Sequence, residues 1–564
     1  MRKGWLLFVT GWALIMAGSW LAAAVQTSGG ISVRDVRFAG GHGVQMSGLL
    51  YVPANATRQT PAPAILAVHG YINSRETQSG FAIEFARRGY VVLAIDQTGH
   101  GYSGGAAFSD GFGGPASLAY LQSLAGVDKA NIGLEGHSMG GWAVLAAAAA
   151  MPDAYKAMVL EGSSTGKPFA AEATATWPRN LAVVFSRHDE FSTIMWGVER
   201  ARDVVGSAKL KAAFGTSNEI VPGRIYGIIG NGTARRLTTP WTTHPGDHIS
   251  TVAIGDSLDW FGRTLVGGMP RPVSDQIWYW KDIGTGVALG GFVLLLLGSF
   301  DVLLGLGFAG LRTVPPPVEA RRDGDWWRRL AATAVVPTLS FFPAFMLVTA
   351  MLPPSRLLPQ TVTTQVLAWA AVNTAITLAL EWRRHRRQPA LFGQHPVQFG
   401  AIALGTIGIG YGALFVADWA FKVDFRFWVI ALKLFNRDQF AIALVYLLPL
   451  TGCYLVALRS LHDWLAVAKD RPATHYVSGI AAMALGFLVL LALDYGVFFA
   501  TGTLPTAFDP LSTVIAIQFV PLLTMVAVIG VFTWRRTGSH VPGALLCGLL
   551  VTWYIVAGTA TQVV

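Results

Sequence analysis

Asn131-Ile-Gly-Leu-Glu-Gly-His-Ser138-Met-Gly-Gly-Trp142 is the stretch that decides the fold. Asn131 to Glu135 reads as a short apolar strand, and Trp142 to Met151 as an alanine-rich helix. Between them stands Gly136-His137-Ser138-Met139-Gly140, a Gly-x-Ser-x-Gly turn in the strand-to-helix setting that a nucleophile elbow requires. So tight a turn leaves no room for a β-carbon two residues before or after the serine, hence Gly136 and Gly140. It lifts the Ser138 hydroxyl clear of the strand and aims the Met139 amide at the same point.

Outward from this turn the chain divides by composition. Hydrophobic residues make up 52% of its 564 residues and charged residues only 13%, which places a large part of it in lipid. Residues 27–270 have the composition of a soluble domain, and the apolar excess lies beyond 282. Met1-Arg2-Lys3 precedes an apolar run to about Val25, so residues 1–26 read as a secretory signal or a retained anchor helix. Either reading sends residue 27 onward out of the cytoplasm. The two cysteines, Cys453 and Cys547, both fall in apolar helices, so no disulfide framework or zinc site is encoded. The net charge of +10 comes from arginines clustered between apolar spans, which is membrane topology and not a nucleic-acid patch.

Within 27–270, Ile31 to Phe38 and Met46 to Val52 read as an opening hairpin. Ala62 to Val68 is a continuous apolar strand ending in His69-Gly70-Tyr71. Gln78 to Arg88 has helical spacing, and strand Tyr90 to Ile95 ends in Asp96-Gln-Thr-Gly-His100-Gly-Tyr-Ser103. Strands at Ala157 to Glu161 and Leu181 to Ser186 follow the elbow helix. This alternation implies a mostly parallel sheet flanked by helices.

Strand–His-Gly, strand–Asp-x-x-Gly-His-Gly-x-Ser and strand–Gly-His-Ser-Met-Gly-Gly–helix, in this order, resemble the α/β-hydrolase superfamily in its esterase, lipase and serine-peptidase-like branch. The resemblance covers about residues 31–266 and is specific for fold, not for substrate. It implies a triad in the order Ser, acid, His. Ser138 would be the nucleophile. Asp189, just past the strand ending at Ser186, would be the acid, with Glu190 the near alternative. The base would lie in Thr242-Thr-His244-Pro-Gly-Asp-His248, before a last amphipathic helix over Val252 to Leu265. His244 and His248 both remain open, with Ser250 or Thr251 as the helix N-cap favouring His244. The amides of Tyr71 and Met139 would form the oxyanion hole. His69, His100, His137 and His188 read as motif or packing histidines. Phe191 to Gly232 is read as an insertion, helical over Ile194 to Val205, able to serve as a lid or to lean on the membrane. No cofactor is implied, since no metal cluster, phosphate loop or dinucleotide fingerprint occurs.

Residues 282–564 read as an all-α transmembrane bundle of about eight helices, near 283–307, 331–352, 361–381, 398–420, 438–458, 477–499, 512–533 and 541–561. Arginine-rich loops (Arg312 to Arg329, Arg383 to Arg387, Arg459 to Arg471, Arg535 and Arg536) alternate with poor ones. Placing them inside puts the hydrolase domain and the C-terminus outside. The loop bearing Lys422, Arg426, Lys433 and Arg437 is a partial exception. Asp301, Asp418 and Asp494 lie within spans, where carboxylates suggest function by default. The first expectation is a membrane-bound serine hydrolase acting on a small-molecule or lipid ester, such as an envelope acyl ester. The rivals are a transporter or envelope-assembly protein with an acyl-binding domain, and a serine peptidase. The sequence points to membrane lipid as a partner, to no nucleic acid, and to no particular protein.

Overall fold

The computed structural model describes residues 2–313, 321–382, 395–467 and 470–563. It opens with helix α1 (Arg2–Gln26), followed by strands β1 (Ser32–Ala39), β2 (Gln45–Val52) and β3 (Ala62–Val68). Then come α2 (Ser79–Arg87), β4 (Val91–Asp96), α3 (Gly114–Ser123), β5 (Val127–His137), α4 (Met139–Ala150), β6 (Ala157–Glu161) and β7 (Leu181–Val184). The segment beyond holds α5 (Ser192–Trp196), α6 (Ala208–Phe214), β8 (Ile225–Tyr226), β9 (Arg235–Thr238) and α7 (Thr251–Thr264).

Nine strands form one sheet in the order β1-β2-β4-β3-β5-β6-β7-β9-β8. The pairs β1–β2, β2–β4 and β8–β9 are antiparallel and all others parallel. Every residue of β3, β4, β6 and β7 is buried, as continuous apolar runs covered on both faces should be. One core packs α3 and α4 against one face; the other packs α2 and α7 against the opposite face. The N-terminal part is therefore an α/β-hydrolase fold.

Two local readings change. The helix expected over Ile194 to Val205 is two short pieces: α5 stops at Gly197 in the left-handed conformation, and a separate 3₁₀ turn covers Ala201–Gly206. Strand β9 was not anticipated, because Arg235-Arg-Leu-Thr carries one apolar residue in four. Its arginines are buried by partner, not by hydrophobicity. Arg235 donates to the carbonyls of Ala213, Ala234 and Thr174, and Arg236 pairs with Asp259 over the Trp260 ring.

The rest is helical: α8 (Trp278–Leu306), α9 (Gly324–Leu339), α10 (Phe341–Met351), α11 (Thr361–Trp382), α12 (Pro396–Phe421), a hairpin of β10 (Phe425–Phe427) and β11 (Ile430–Leu432), α13 (Arg437–Leu465), α14 (Pro472–Thr501), α15 (Pro510–Thr537) and α16 (Val541–Gly558). Among the described residues nine helices are long and apolar enough to cross a membrane, α1 included and α9–α10 counted as one. α1 lies along α8 at close range. A β-carbon on Gly11 would stand 2.5 Å from the Leu295 amide nitrogen, and one on Gly18 2.3 Å from the Gly284 carbonyl oxygen. Small residues on one stripe allow such backbone approach between apolar helices.

Two of the three carboxylates read as lying within spans have local partners. Asp301 pairs with Arg536 at 3.0 Å and Arg312 at 3.1 Å, and Asp494 accepts from Thr506 Oγ1 at 2.7 Å. Of the expected arginine clusters, Arg383 to Arg387 and Lys469 lie outside the described residues. The exceptional loop has a structural reason for its cations. Lys433 Nζ pairs with Glu76, and Arg426 bonds Asp424 at 2.7 Å, Thr77 at 2.7 Å and Ser74 at 3.0 Å. Two of its four basic residues are thus buried partners of the loop after β3.

Candidate active site

The elbow follows from the steric demand at Ser138. The residue adopts φ 54°, ψ −123°, between the end of β5 and the start of α4. Such a conformation costs a non-glycine residue of order 1–3 kcal/mol and persists only where its surroundings fix it. Here the Ser138 amide donates to Glu161 O at 2.8 Å, while its carbonyl accepts from Ser163 Oγ at 2.6 Å and Gly141 N at 2.9 Å. A β-carbon at Gly140 would sit 2.0 Å from the Val68 carbonyl oxygen, so α4 approaches β3 only because that position is glycine. The Met139 amide stands at the first turn of α4, where no intrahelical acceptor exists.

β9 builds the other half. Its chain continues beside the end of β7: Arg187 N donates to Pro240 O at 2.8 Å, His188 N to Thr242 O at 3.0 Å, and His188 bridges Thr243. This brings the acid loop against the histidine loop. His244 Nδ1 lies 2.8 Å from Asp189 Oδ2, and Asp189 Oδ1 accepts from Phe191 N at 2.8 Å. The Asp189 carboxylate is wholly buried. Burial pushes its pKa well up, with Asp247 adding to the effect, and burial draws the His244 imidazole down to about 4. The imidazole is then neutral at pH 7, the state a general base needs.

His248 is elsewhere. Its ring packs 4.0 Å from that of His137 and 6.2 Å edge-on to Phe81, and neither ring nitrogen has a partner among the described residues. Ser250 caps α7 by accepting from Ala253 N at 3.1 Å, which puts His248 in the turn just before the helix. Glu190, the alternative acid, bonds a different part of the same histidine. Its Oε2 accepts the His244 backbone N–H at 2.8 Å, and its Oε1 accepts the hydroxyl of Tyr495 in α14 at 2.7 Å. Burial and then Asp189 push Glu190 up to about 8.

Ser138 and His244 both border Glu161 to Ser163, yet no hydrogen bond joins Ser138 Oγ to His244 among the described residues. Such bonds are often long before substrate binds. Gly162 was missed by sequence reading. It has φ +50°, and a β-carbon there would lie 2.9 Å from His244 Nδ1 and 3.2 Å from Asp189 Oδ2. A glycine following a buried strand beside the elbow strand was the available signal. His69 serves structure: Nδ1 meets Gly70 O at 2.6 Å and Nε2 accepts Gln97 N at 3.1 Å, which shapes the turn into Tyr71. His137 Nε2 donates to His244 O at 3.0 Å, and His188 lies against Trp241, Phe498 and Phe499. His100 Nδ1 meets Thr98 O at 2.9 Å.

The helical bundle touches this edge of the sheet at several points. Gln562 donates to Tyr71 Oη at 2.8 Å, Trp428 Nε1 donates to Pro245 O at 2.7 Å, and Thr561 exchanges backbone bonds with Gly99 and Ala107. The aromatic rings of Tyr71, Phe108, Phe169 and Trp142 run from the loop after β3 to α4. Among the described residues no cluster of three or more His, Cys, Asp or Glu could hold a metal ion.

Residues 63–223 match the family model of the α/β-hydrolase fold. No curated protein matches the chain. Among solved structures it is similar to a hypothetical protein from Pseudomonas aeruginosa, at 30% identity over 23% of this chain and 43% of that one, with a TM-score of 0.21. An α/β hydrolase from a Penicillium species aligns at 24% identity over 24% of this chain and 49% of its own, TM-score 0.22. An esterase from Pyrococcus furiosus aligns at 16% identity over 41% of this chain and 91% of its own, TM-score 0.31. The chain thus spans less than half the length of the first two.

Proposed function

We propose that the chain is a membrane-bound serine hydrolase that cleaves the ester of a lipid or envelope acyl compound. The observation that carries this is the buried 2.8 Å bond between His244 and Asp189 beside an elbow serine. Ser138 Oγ attacks the acyl carbon and its proton passes to His244 Nε2. Asp189 fixes the tautomer that leaves Nε2 free and stabilises the imidazolium. The amides of Met139 and Tyr71 receive the oxyanion, each such donor being worth roughly 3–4 kcal/mol of barrier. The protonated His244 then gives its proton to the leaving alcohol. Water, deprotonated by the same imidazole, attacks the acyl-serine and releases the acid.

The arginine pattern supports an inside N-terminus, an extracytoplasmic hydrolase domain over 27–270 and a bundle over 282–564. The glycine-lined contact of α1 with α8 supports α1 as a retained membrane helix, not a cleaved signal. A fluorophosphonate probe applied to the membrane-embedded protein tests the chemistry. Labelling of the wild type and none of Ser138→Ala is the expected result; a folded wild type that does not label ends the serine-hydrolase reading.

A further inference from the structure

The loop carrying the candidate oxyanion amide is also a wall of a cavity in the membrane half. Ile72 to Ser74, directly after Tyr71, close one end of a narrow space of about 50 Å³. Ile72 has φ +53°, a left-handed conformation that is an outlier for a β-branched residue. Its side chain packs against the core of the helical bundle, not against the sheet. The cavity is graded in polarity. On the hydrolase side stand Asn73, Ser74 and the two buried cations Arg426 and Lys433. On the bundle side the walls come from α11, α15 and α16, with Val366, Ile515, Phe519 and Leu522 at the apolar end. Two polar groups of that side, Gln518 and Tyr554, bond each other at 2.6 Å.

A space that is polar beside the oxyanion loop and apolar between membrane-type helices matches an amphiphile with its ester at the loop and its hydrocarbon chain among the helices. At roughly 10–15 Å³ per water-sized group, the space is only a few such groups long and takes the first part of a chain. That suits an unbranched chain and not a ring. The sheet edge bearing Ser138 is covered by the bundle through Gln562, Trp428, Thr561 and Tyr495, so a chain arriving between helices meets the site from its covered side.

The geometry points to this cavity as the acyl-chain subsite: the bundle takes the hydrocarbon chain of a bilayer-resident ester and delivers the carbonyl to the Tyr71 amide. The inference rests on the serine-hydrolase reading, and its test separates the two. Gly558 lines the cavity at the end of α16, and a β-carbon there meets no atom within 4 Å. Gly558→Leu therefore adds a side chain at the cavity wall without a clash at its β-carbon. Full-length protein in lipid nanodiscs is assayed with p-nitrophenyl acetate and octanoate, with fluorophosphonate labelling in parallel. The expected result is a fall of at least tenfold in the octanoate-to-acetate ratio of kcat/KM for Gly558→Leu. Val366→Ala, which lengthens the apolar end, shifts the best chain length upward. An unchanged chain-length profile in both variants, with the wild type active, removes the subsite and leaves the hydrolase reading standing. A wild type that neither labels nor hydrolyses either ester removes both. If Gly558→Leu does not fold, the profile of Val366→Ala decides alone.

Discussion

Two loops at the carboxyl edge of the sheet carry the candidate chemistry, and the helical bundle holds them by opposite means. The loop after β3 is gripped by charge: Lys433 and Arg426 converge on Glu76, Ser74 and Thr77, and Arg75 ties the same loop to Asp35 and Asp96. The base loop has no ion pair to the bundle among the described residues. It is touched by the Tyr495 hydroxyl through Glu190, by the Trp428 indole and by the rings around His188. Removing one partner of a buried ion pair costs about 3–5 kcal/mol. A single neutral hydrogen bond trims a position by a fraction of that. The first loop is therefore the stronger of the two ties to the bundle, and the second bears on the position of His244.

The sharpest test of this contrast is inside the base loop. His244→Ala is expected to lower kcat/KM by about 10⁴-fold or more, as loss of a triad base does. His248→Ala, which only leaves a hole between His137 and Phe81, is expected to stay within about tenfold. Equal losses in steady-state kinetics would mean that the 2.8 Å bond to Asp189 does not mark the base.

Next in size is the charged grip. Lys433→Met takes its nearest cation from buried Glu76 and leaves Arg75 at 3.1 Å, where loss of one partner of a buried pair costs up to about 3–5 kcal/mol. Glu76 is held well below the usual carboxylate range, against its burial, first by Lys433 and then by Arg75 and Arg426. Thermal unfolding in detergent should fall steeply for Lys433→Met and recover in part in Lys433→Met with Glu76→Gln. No recovery would mean that the lysine stem, not its charge, makes the contact.

The base loop also predicts an unusual acid limb. On the proposed mechanism His244 works as the neutral imidazole, and burial draws its pKa down to about 4 from an ordinary value near 6.5. Activity is present above the folded pKa and lost as pH falls through it, so kcat/KM should hold from neutrality to about pH 5. In the same window the unfolded chain takes up a proton at this histidine that the folded chain refuses, so stability declines from pH 6.5 downward while the rate does not. A limb centred near 6.5 would place the imidazole in contact with water.

The sequence carries the elbow, the buried strands and the long apolar helices because each rests on local demands: Gly140 against the Val68 carbonyl, apolar runs in β3 and β4, and helices long and apolar enough to cross a membrane. What it conceals depends on partners far along the chain. Strand β9 hides behind Arg235 and Arg236, which are buried only because carbonyls and Asp259 are there to meet them. Lys433 looks like a breach of the charge pattern until Glu76, more than 350 residues earlier, is beside it. His244 and His248 share one short loop, and only the register set by β7 and β9 distinguishes their surroundings. Gly162 has no motif to announce it.

Tyr495 carries the smallest prediction and the one that most directly tests the lighter contact. Its hydroxyl is the link from α14 to Glu190, whose other oxygen holds the His244 amide. Tyr495→Phe keeps the ring against Phe498 and Phe499 and removes one donor from a buried carboxyl already pushed up to about 8. Deleting one such hydrogen bond costs about 1 kcal/mol, or roughly fivefold. The loss should fall on kcat with KM unchanged, because the bond bears on the orientation of the base and touches no part of the substrate. A purely structural role for the hydroxyl would instead lower thermal stability and leave kcat per folded enzyme as it was. In that case β9 alone orients His244, and α14 is a neighbour of the site and not a support for it.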